Sequence, residues 1–224
     1  MKPHVICHMV SSVDGRIVAD RWPGMDALTK AYEQTAAKLK GDAWIIGRVS
    51  MEPYAGRAKV PTKKRVKLPR TDFIATRADG YAIAIDPSGK LRWETNAVHG
   101  EHFVSVLTEG VSDAYLAFLR EQGVSYVFGG KKSVNLARVL EKLNAHFGIE
   151  TLLLEGGGKI NGAFLEAGLV DELSLIVAPI ADGTVGTASV FDAGPRGALR
   201  ALQLRSVKQL QGGLAWLRYD FKER

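Results

Sequence analysis

The chain has 224 residues, of which 46% are hydrophobic and 24% are charged, as in an ordinary globular protein. Its formal net charge of +6 favours anionic partners, which include nucleic acids and phosphorylated small molecules. No apolar run approaches the ~18 residues that cross a bilayer, and the single cysteine, Cys7, excludes an intramolecular disulfide. We therefore expect a cytoplasmic protein without a membrane partner.

Apolar runs with strand character alternate with segments of helical periodicity along most of the chain. The segments that we predict as strands are Val5–Val10, Ala43–Ile46, Asp72–Thr76, Ala82–Ile85, Phe103–Leu107, Tyr126–Phe128, Ile149–Leu154 and Glu172–Ala178. The segments that we predict as helices are Asp26–Leu39, Ser112–Glu121, Ser133–His146 and Lys159–Ala167. Such alternation is typical of an α/β fold.

The last quarter of the chain has a different pattern. Leu202–Val207 and Leu214–Phe221 alternate apolar and polar residues, with Gly212 and Gly213 at the bend, which predicts an antiparallel hairpin. We therefore predict an α/β fold with a mixed, mostly parallel central sheet, helices on both faces and a C-terminal antiparallel hairpin. Residues 1–224 are expected to form a single domain.

Polar residues follow the first predicted strand directly, in the segment Ser11-Ser12-Val13-Asp14-Gly15. Ligands of open α/β sheets bind beyond the carboxyl ends of the strands. Ser12 and Asp14 are therefore candidates for hydrogen bonds to a sugar or a heterocycle. A plain turn is the alternative, because Asp-Gly is a frequent turn dipeptide.

A second candidate is Gly47-Arg48-Val49-Ser50, where a short predicted strand runs into the start of a helix. Glycine lets backbone amides approach a phosphate, the helix start adds about half a positive charge, and Arg48 adds a full one. The alternative is a solvated arginine after a turn, because the segment lacks a complete glycine fingerprint.

The third candidate is Glu155-Gly156-Gly157-Gly158-Lys159-Ile160, in which a buried strand leads through a carboxylate and three glycines into a helix. Three consecutive glycines cost roughly 2–3 kcal/mol of backbone entropy relative to alanine, which a simple turn does not require. Close passage of a dinucleotide over bare backbone explains them, and a generous turn is the alternative.

Other polar features point less clearly to a function. The basic run Lys59, Lys63, Lys64, Arg65, Lys67 and Arg70 could bind nucleic acid or a substrate phosphate, but it lacks aromatic residues that stack on bases, which favours a solvated loop. His8 lies in the apolar first strand, where a hydrogen-bonded core residue is the usual role. The five histidines and one cysteine show no ligand spacing, so we predict no metal site.

Together and in this order, the motifs resemble the reductase domain of riboflavin biosynthesis, the C-terminal domain of the bacterial bifunctional deaminase-reductase. This family belongs to the dihydrofolate-reductase-like superfamily, so the resemblance implies a single domain with that fold. The similarity covers nearly the whole chain and is most specific where Glu-Gly-Gly is followed by Val-Asp-Glu-Leu. The segments that carry it are Met9–Ile17, Asp42–Gly47, Leu154–Leu165, Gly168–Leu173 and Ala178–Ile180.

The resemblance implies an activity. The family uses NADPH to reduce the ribosyl group of 5-amino-6-(5-phosphoribosylamino)uracil to a ribityl group, and hydride goes to the first carbon of the open Schiff-base form of the sugar. The resemblance also implies a homodimer, a phosphorylated small-molecule substrate and no nucleic-acid partner. Catalytic or substrate-facing roles are implied for Asp14, Glu155 and Ser12.

The resemblance further implies the residues that hold the cofactor. Those expected at the pyrophosphate are Gly156, Gly157, Gly158, Lys159 and Ile160. Those expected beside the cofactor on the neighbouring strand are Gly47, Arg48 and Ser50. Thr76 and Arg77, at the end of the next predicted strand, are similar to the contact that the family makes with the adenosine phosphate, and Arg77 implies a preference for NADPH over NADH.

Two departures from the family pattern affect the substrate. His8 stands where the family usually carries lysine, and a protonated His8 is expected to act as a general acid near neutral pH. The phosphate-binding segment of the family is shortened here to Glu52–Arg57, so Arg57 is the expected phosphate contact. The His/Cys zinc signature of the deaminase is absent from the sequence.

Two other functions are consistent with these residues. One is a reductase of the same fold that acts on a pterin or another small imine or carbonyl compound. The other is a basic protein that binds nucleic acid without catalysis, for which we expect salt-sensitive oligonucleotide binding and no NADPH binding.

Overall fold

The fold is seen in a computed structural model that describes residues 1–60 and 67–222. The strands are β1 His4–Ser11, β2 Ala43–Gly47, β3 Tyr81–Ile85, β4 Ala97–Val98, β5 Glu101–Thr108, β6 Ser125–Gly130, β7 Thr151–Leu154, β8 Glu172–Val177, β9 Leu202–Gln209 and β10 Ala215–Phe221. The α-helices are α1 Met25–Leu39, α2 Arg48–Ala55, α3 Asp113–Gln122, α4 Leu136–Phe147 and α5 Gly158–Glu166. This confirms the predicted α/β class.

The described chain divides into two compact units. The first unit consists of Met1–Pro3 and Asp42–Glu150, and the second consists of His4–Gly41 and the described chain from Thr151 onward. The predicted single domain over residues 1–224 therefore stays a prediction.

The first unit is built on strands in the order β4, β5, β3 and β2, with β6 also paired to β5. All of these pairs are parallel except β4 with β5. β3 reads Tyr-Ala-Ile-Ala-Ile and is buried along its whole length, as parallel strands in α/β folds are. Gly47 and Ile85 are register partners, so the carboxyl ends of β2 and β3 lie at one edge of the sheet.

The second unit carries the strand order β7, β1, β8, β10 and β9. β7, β1 and β8 are parallel, while β10 is antiparallel to both β8 and β9. The predicted C-terminal antiparallel hairpin is therefore confirmed, with a short 3-10 turn at Gln211–Gly213. Cys7 and Leu154 are register partners, so β1 and β7 run in the same direction and β1 extends four residues beyond the end of β7.

Local capping signals fix several helix ends. The hydroxyl of Ser112 accepts a hydrogen bond from the Tyr115 amide at 3.2 Å and caps α3, and Gly123 ends that helix with a φ of 69°. The predicted start of α4 at Ser133 is wrong, because Asn135 is the N-cap and its side chain accepts from the Arg138 amide. Among the described residues, no helix combines the length and the apolar character that a membrane span requires.

The predicted strand Asp72–Thr76 does not form. Phe73 makes only an isolated bridge to Tyr126, with hydrogen bonds of 2.9 Å in each direction. The aromatic ring of Phe73 lies 5.5 Å from that of Tyr126 and 4.9 Å from the guanidinium carbon of Arg120. These apolar residues thus pack against β6 rather than extending the sheet.

Candidate functional site

The turn after β1 is organised by the carboxylate of Asp14. The hydroxyl of Ser12 donates to Asp14 Oδ1 at 2.7 Å, and the amides of Asp182 and Gly183 donate to the two carboxylate oxygens at 2.9 Å each. These hydrogen bonds hold the pKa of Asp14 far below its ordinary value. Asp14 is therefore an ionised anchor for the loop at Asp182 and is unable to donate a proton near neutral pH.

Arg16 strengthens the same connection between the turn and the later loop. Its guanidinium donates to the carbonyl of Thr187 at 3.2 Å, and its Nε lies 3.9 Å from Asp14 Oδ2. The backbone of Arg16 also forms an isolated bridge with Ser189. The two loops therefore form one rigid frame around Ser12 and Asp14.

The glycine turn that follows β7 has an unusual backbone. Gly156 has a φ of 139° and Gly157 a φ of 42°, a region that favours glycine over residues with a side chain. Gly157 is the N-cap of α5, and no side chain caps that helix start. A Cβ built on Gly156 meets no atom within 4 Å, so the space beside the turn is open. An uncapped helix start next to open space suits an anion.

Gly158 and Gly162 are required for a different reason. A Cβ on Gly158 lies 2.3 Å from the carbonyl oxygen of Ser189, and one on Gly162 lies 2.3 Å from that of Asp192. The 189–192 segment of this same chain therefore occupies the place of these side chains. This corrects the sequence interpretation that a dinucleotide is needed to explain all three consecutive glycines.

Glu155 is half-buried and follows β7 directly. Its charge, together with burial as the larger cause, raises the pKa of the Cys7 thiol well above its ordinary range. Cys7 is the register partner of Leu154, so Glu155 follows β7 at the level of His8, four residues before Ser12. Lys159, one residue into α5, is exposed.

His8 lies in the interior of the second unit and has no exposed surface. Its Nδ1 is 3.0 Å from the hydroxyl oxygen of Ser174, and its Nε2 is 3.3 Å from the carbonyl of Tyr32 and from the hydroxyl of Thr35. Burial lowers the pKa of His8 from 6.5 to about 4. The expected protonated His8 is therefore wrong, because desolvation keeps the imidazole neutral at neutral pH.

In the first unit, α2 begins directly at the carboxyl end of β2. Gly47 is the N-cap of α2, and again no side chain caps the helix start. Arg48 forms an ion pair with Glu52 one turn along the helix, and Ser50 is exposed. The phosphate contact predicted for Arg48 therefore competes with an existing carboxylate.

The position expected for Thr76 and Arg77 is wrong. Both residues are exposed and precede β3, because the predicted strand that they were to end does not form. They lie at the amino end of β3, whereas Gly47 lies at the carboxyl ends of β2 and β3. The adenosine-phosphate contact implied by the resemblance required the opposite end, so we do not assign it to these two residues.

Sequence reasoning missed Lys90 and Arg92, which share a surface pocket with Arg57 and Lys59. This pocket has a volume of about 950 Å³, and its lining includes the exposed cations Arg57, Lys59, Lys90 and Arg92. Lys90 and Arg92 follow the turn Asp86-Pro87-Ser88-Gly89 at the carboxyl end of β3. Basic residues after that turn are the signal that pattern reading overlooked.

The basic run is only partly described. Lys63, Lys64 and Arg65 lie outside the described residues. Arg70 forms an ion pair with Asp113 and donates to the carbonyls of Glu109 and Val111 at 3.0 Å. Arg70 therefore anchors its own loop rather than standing free for a ligand.

The predicted site residues are thus divided between the two units. The second unit contains His8, Ser12, Asp14, Glu155, Gly156, Gly157, Gly158, Lys159 and Ile160. The first unit contains Gly47, Arg48, Ser50, Arg57, Thr76 and Arg77. In each unit, one parallel strand leads through a glycine directly into a helix, and no side chain caps the start of that helix.

Comparison with known proteins supplies independent information. Residues 3–216 match the family model described as the RibD C-terminal domain. The 2,5-diamino-6-ribosylamino-4(3H)-pyrimidinone 5′-phosphate reductase of Methanothermobacter thermautotrophicus is 27% identical over 196 residues, which cover 86% of this chain and 85% of that protein.

Two solved structures have a similar fold. A pyrimidine reductase-like protein from Corynebacterium diphtheriae has a TM-score of 0.74 at 16% identity, covering 99% of this chain and 93% of the other. The riboflavin biosynthesis reductase Rib7 of Saccharomyces cerevisiae has a TM-score of 0.65 at 17% identity, with coverages of 99% and 90%.

Proposed function

Because the chain belongs to the family of RibD C-terminal domains, we propose that it is an NADPH-dependent reductase of riboflavin biosynthesis. Its proposed substrate is 5-amino-6-(5-phosphoribosylamino)uracil, and its proposed product carries a ribityl group in place of the ribosyl group. The relative from M. thermautotrophicus, itself named as a reductase of a ribosylaminopyrimidinone 5′-phosphate, supports this assignment.

The observation that carries the proposal is the start of α5, which follows the parallel strand β7 through Gly157 without a side-chain cap. In the other unit, α2 likewise follows β2 through Gly47 without a side-chain cap. Free backbone N–H groups and the helix dipole there suit the phosphates of a dinucleotide. The open space beside Gly156 leaves the turn accessible to such a group. These features suit the phosphates of a nicotinamide dinucleotide, for which we propose NADPH.

The residues of the chain bind and orient, while the bound cofactor supplies the hydride. We assign the sugar and base of the substrate to Ser12 and Glu155, which follow the parallel strands β1 and β7. Asp14 holds the Ser12 hydroxyl in one orientation, since its carboxylate accepts that hydrogen bond. Arg57 is assigned to the substrate phosphate. Fixed orientation of this kind lowers the entropic part of the barrier to hydride transfer.

His8 has a positioning role in this account. Its hydrogen bonds to Ser174 and Tyr32 fix β1 against β8 and α1, and β1 leads directly into the turn with Ser12. The neutral ring contributes no acid to the reaction, so the proton donor is a different group or water.

A second candidate substrate is favoured by the relative from M. thermautotrophicus. The name of that reductase specifies a 2,5-diaminopyrimidinone rather than an aminouracil. The two compounds differ at one ring substituent, an amino group in place of a carbonyl. We therefore include the diaminopyrimidinone as an alternative substrate of the same reaction.

Purified protein mixed with NADPH and each of the two ribosylaminopyrimidine phosphates tests the proposal. We expect loss of NADPH absorbance and formation of the ribityl product with at least one of them. The ratio of kcat/KM for the two compounds identifies the substrate. Absence of turnover with both, while NADPH binds, contradicts the proposed substrate class, and absence of NADPH and NADH binding contradicts the reductase.

We also propose that the protein is a cytoplasmic homodimer. Sedimentation equilibrium of the purified protein measures the mass of the oligomer, and we expect twice the 24.3 kDa of one chain.

A further inference from the structure

Tyr32 of α1 lies against His8 and covers it. The two aromatic rings are stacked, with their centroids 4.4 Å apart and their planes 21° from parallel. His8 has no exposed surface, whereas Tyr32 is only half-buried, so part of Tyr32 is open to solvent. Tyr32 is therefore the member of this pair that a ligand can reach.

The hydroxyl of Tyr32 is held at a defined level of β1. It donates to the backbone carbonyl oxygen of His8 at 3.2 Å. Carbonyl groups alternate between the two sides of a strand, and those of Val5 and Ser11 accept from amides at the two ends of β8. His8 is three residues from each of them, so its carbonyl points to the other side of β1, the side of β7.

At the level of the Tyr32 hydroxyl, β7 has ended. Its last residue, Leu154, is the register partner of Cys7, so Glu155 is level with His8. The Tyr32 hydroxyl therefore lies beside β1 just beyond the end of β7, at the level of Glu155. Because we assign the sugar and base of the substrate in part to Glu155, this hydroxyl stands at the proposed substrate site.

Reduction of the substrate also needs a proton, and three polar residues around β1 are unable to provide it. His8 is neutral at neutral pH, because burial lowers its pKa to about 4. Asp14 is ionised, since hydrogen bonds hold the pKa of its carboxyl far below its ordinary value. The hydroxyl of Ser12 donates its proton to Asp14 at 2.7 Å. The hydrogen bond of the Tyr32 hydroxyl is longer, at 3.2 Å, than the about 2.5–3.0 Å that is usual between two oxygens, so its proton is weakly held.

We propose that the hydroxyl of Tyr32 donates the proton that the substrate takes up during reduction. This inference rests on the proposed function. Hydride from the cofactor adds to the first carbon of the open Schiff-base sugar, and the electron pair of the carbon–nitrogen double bond moves to the nitrogen. That nitrogen takes the phenolic proton, and water then returns a proton to the phenolate. Tyrosine side chains act as general acids, and rotation about the C–O bond turns the proton from the His8 carbonyl toward a ligand.

Single-turnover oxidation of NADPH with each of the two ribosylaminopyrimidine phosphates tests the inference, because it isolates the chemical step. Tyr32→Phe removes the hydroxyl and keeps an aromatic ring on His8. Tyr219→Phe removes another half-buried phenolic hydroxyl of the second unit, on β10, and is the matched control. Glu155→Gln tests a competing proton donor. Thermal unfolding and the dissociation constants of NADPH and of each substrate are measured for every variant, as readouts that do not depend on turnover.

We expect Tyr32→Phe to slow the chemical step by about 10²-fold or more, the usual contribution of a general acid, while its NADPH and substrate affinities and its unfolding temperature stay close to those of Tyr219→Phe. A rate for Tyr32→Phe within about threefold of the wild-type rate overturns the inference. So does a slower rate that is matched by an equal weakening of NADPH or substrate binding, which indicates a structural role. An unchanged rate in Tyr32→Phe together with a large loss in Glu155→Gln assigns the proton to Glu155 instead.

The wild-type protein separates failure of this inference from failure of the proposed function. If the wild type turns over neither compound, the proposed function fails and this inference fails with it. If the wild type and Tyr32→Phe turn over a compound at the same rate, only this inference is contradicted.

Discussion

The imidazole Nδ1 of His8 lies 3.0 Å from the hydroxyl oxygen of Ser174 in the interior of the second unit. That oxygen also accepts the indole N–H of Trp216 at 2.8 Å, which leaves the hydroxyl proton of Ser174 for His8. The opposite ring nitrogen faces the carbonyl of Tyr32, an acceptor only. Nδ1 also lies 3.3 Å from the carbonyl of Ser174, so both ring nitrogens have hydrogen-bond partners while the imidazole is neutral.

The neutral state of His8 predicts a loss of stability in acid. The folded protein holds the pKa of His8 at about 4, below the unfolded value of 6.5, so the unfolded chain binds the proton first as the pH falls. The contribution of His8 to the unfolding free energy is constant above pH 6.5, the pKa in the unfolded chain. It is lost progressively as the pH falls toward about 4, the pKa in the folded protein. Between about pH 7.5 and about pH 5 this amounts to roughly 2 kcal/mol of unfolding free energy.

Urea unfolding of the wild type and of His8→Gln across this pH range measures the effect. Glutamine has hydrogen-bonding groups but no titration, so the variant is expected to show a shallower dependence on pH whatever its absolute stability. If the unfolding free energies of the two proteins depend on pH to the same extent, His8 is not neutral and buried in the folded protein. The pH profile of kcat is likewise expected to keep its shape in His8→Gln, because the ring supplies no acid.

Gly162 gives a prediction about the frame of the second unit. A Cβ at this position lies 2.3 Å from the carbonyl oxygen and 2.4 Å from the carbonyl carbon of Asp192, both backbone atoms that cannot rotate away. Gly162→Ala is therefore expected to lower the unfolding free energy by about 1–3 kcal/mol or more. Gly110→Ala is the control, since the nearest atom to its Cβ is the Thr108 hydroxyl at 3.6 Å, an ordinary contact. Similar stabilities of both variants in urea unfolding refute the close approach.

The elements that could be predicted from the sequence are those with strong local signals. Ser112 and Gly123 bound α3, and the alternation around Gly212 and Gly213 gives the C-terminal hairpin. The apolar residues Phe73 and Ile74 also have strand character, but Phe73 is bound to Tyr126 of β6 and forms no further ladder. Only tertiary contacts distinguish such a bridge from a strand.

In the candidate site, too, some residues could be predicted from the sequence and others could not. The residues after β1, β2 and β7 were predictable, because each follows a clear strand directly. Lys90 and Arg92 were overlooked although the strand Ala82–Ile85 was predicted, because the contact was assigned to Thr76 and Arg77 at the end of the erroneous strand Asp72–Thr76. The burial of His8 depends on Tyr32, Thr35 and Ser174, which approach it only in the folded chain.

Arg77 is not expected to set the preference for one cofactor over the other. Arg77 precedes β3 and lies away from the carboxyl edge, so Arg77→Gln is expected to change the ratio of NADPH to NADH affinity by less than about twofold. Fluorescence titration with both cofactors measures this ratio. A tenfold fall in this ratio for Arg77→Gln contradicts the expectation and supports the contact between Arg77 and the adenosine phosphate that the resemblance implied.

Glu52 is expected to weaken phosphate binding in the wild type. It pairs with Arg48 and lines the surface pocket that contains Arg57. Glu52→Gln frees Arg48 and removes a negative charge, so we expect ribose 5-phosphate, which carries the substrate phosphate, to bind about threefold tighter, as suits a partly exposed charge. Glu141→Gln on α4 neutralises another exposed carboxylate of the first unit and is the control. Weaker binding in Glu52→Gln is the opposite of this expectation.

Hydride transfer from labelled cofactor tests the central claim most directly. The protein is incubated with NADPH that carries deuterium at both positions of nicotinamide C4 and with each of the two ribosylaminopyrimidine phosphates, and the products are analysed by mass spectrometry and NMR. The account predicts a ribityl product with one deuterium atom on the first carbon of the sugar chain. A product without deuterium at that carbon, or deuterium in the pyrimidine ring, contradicts the proposed reduction of the sugar.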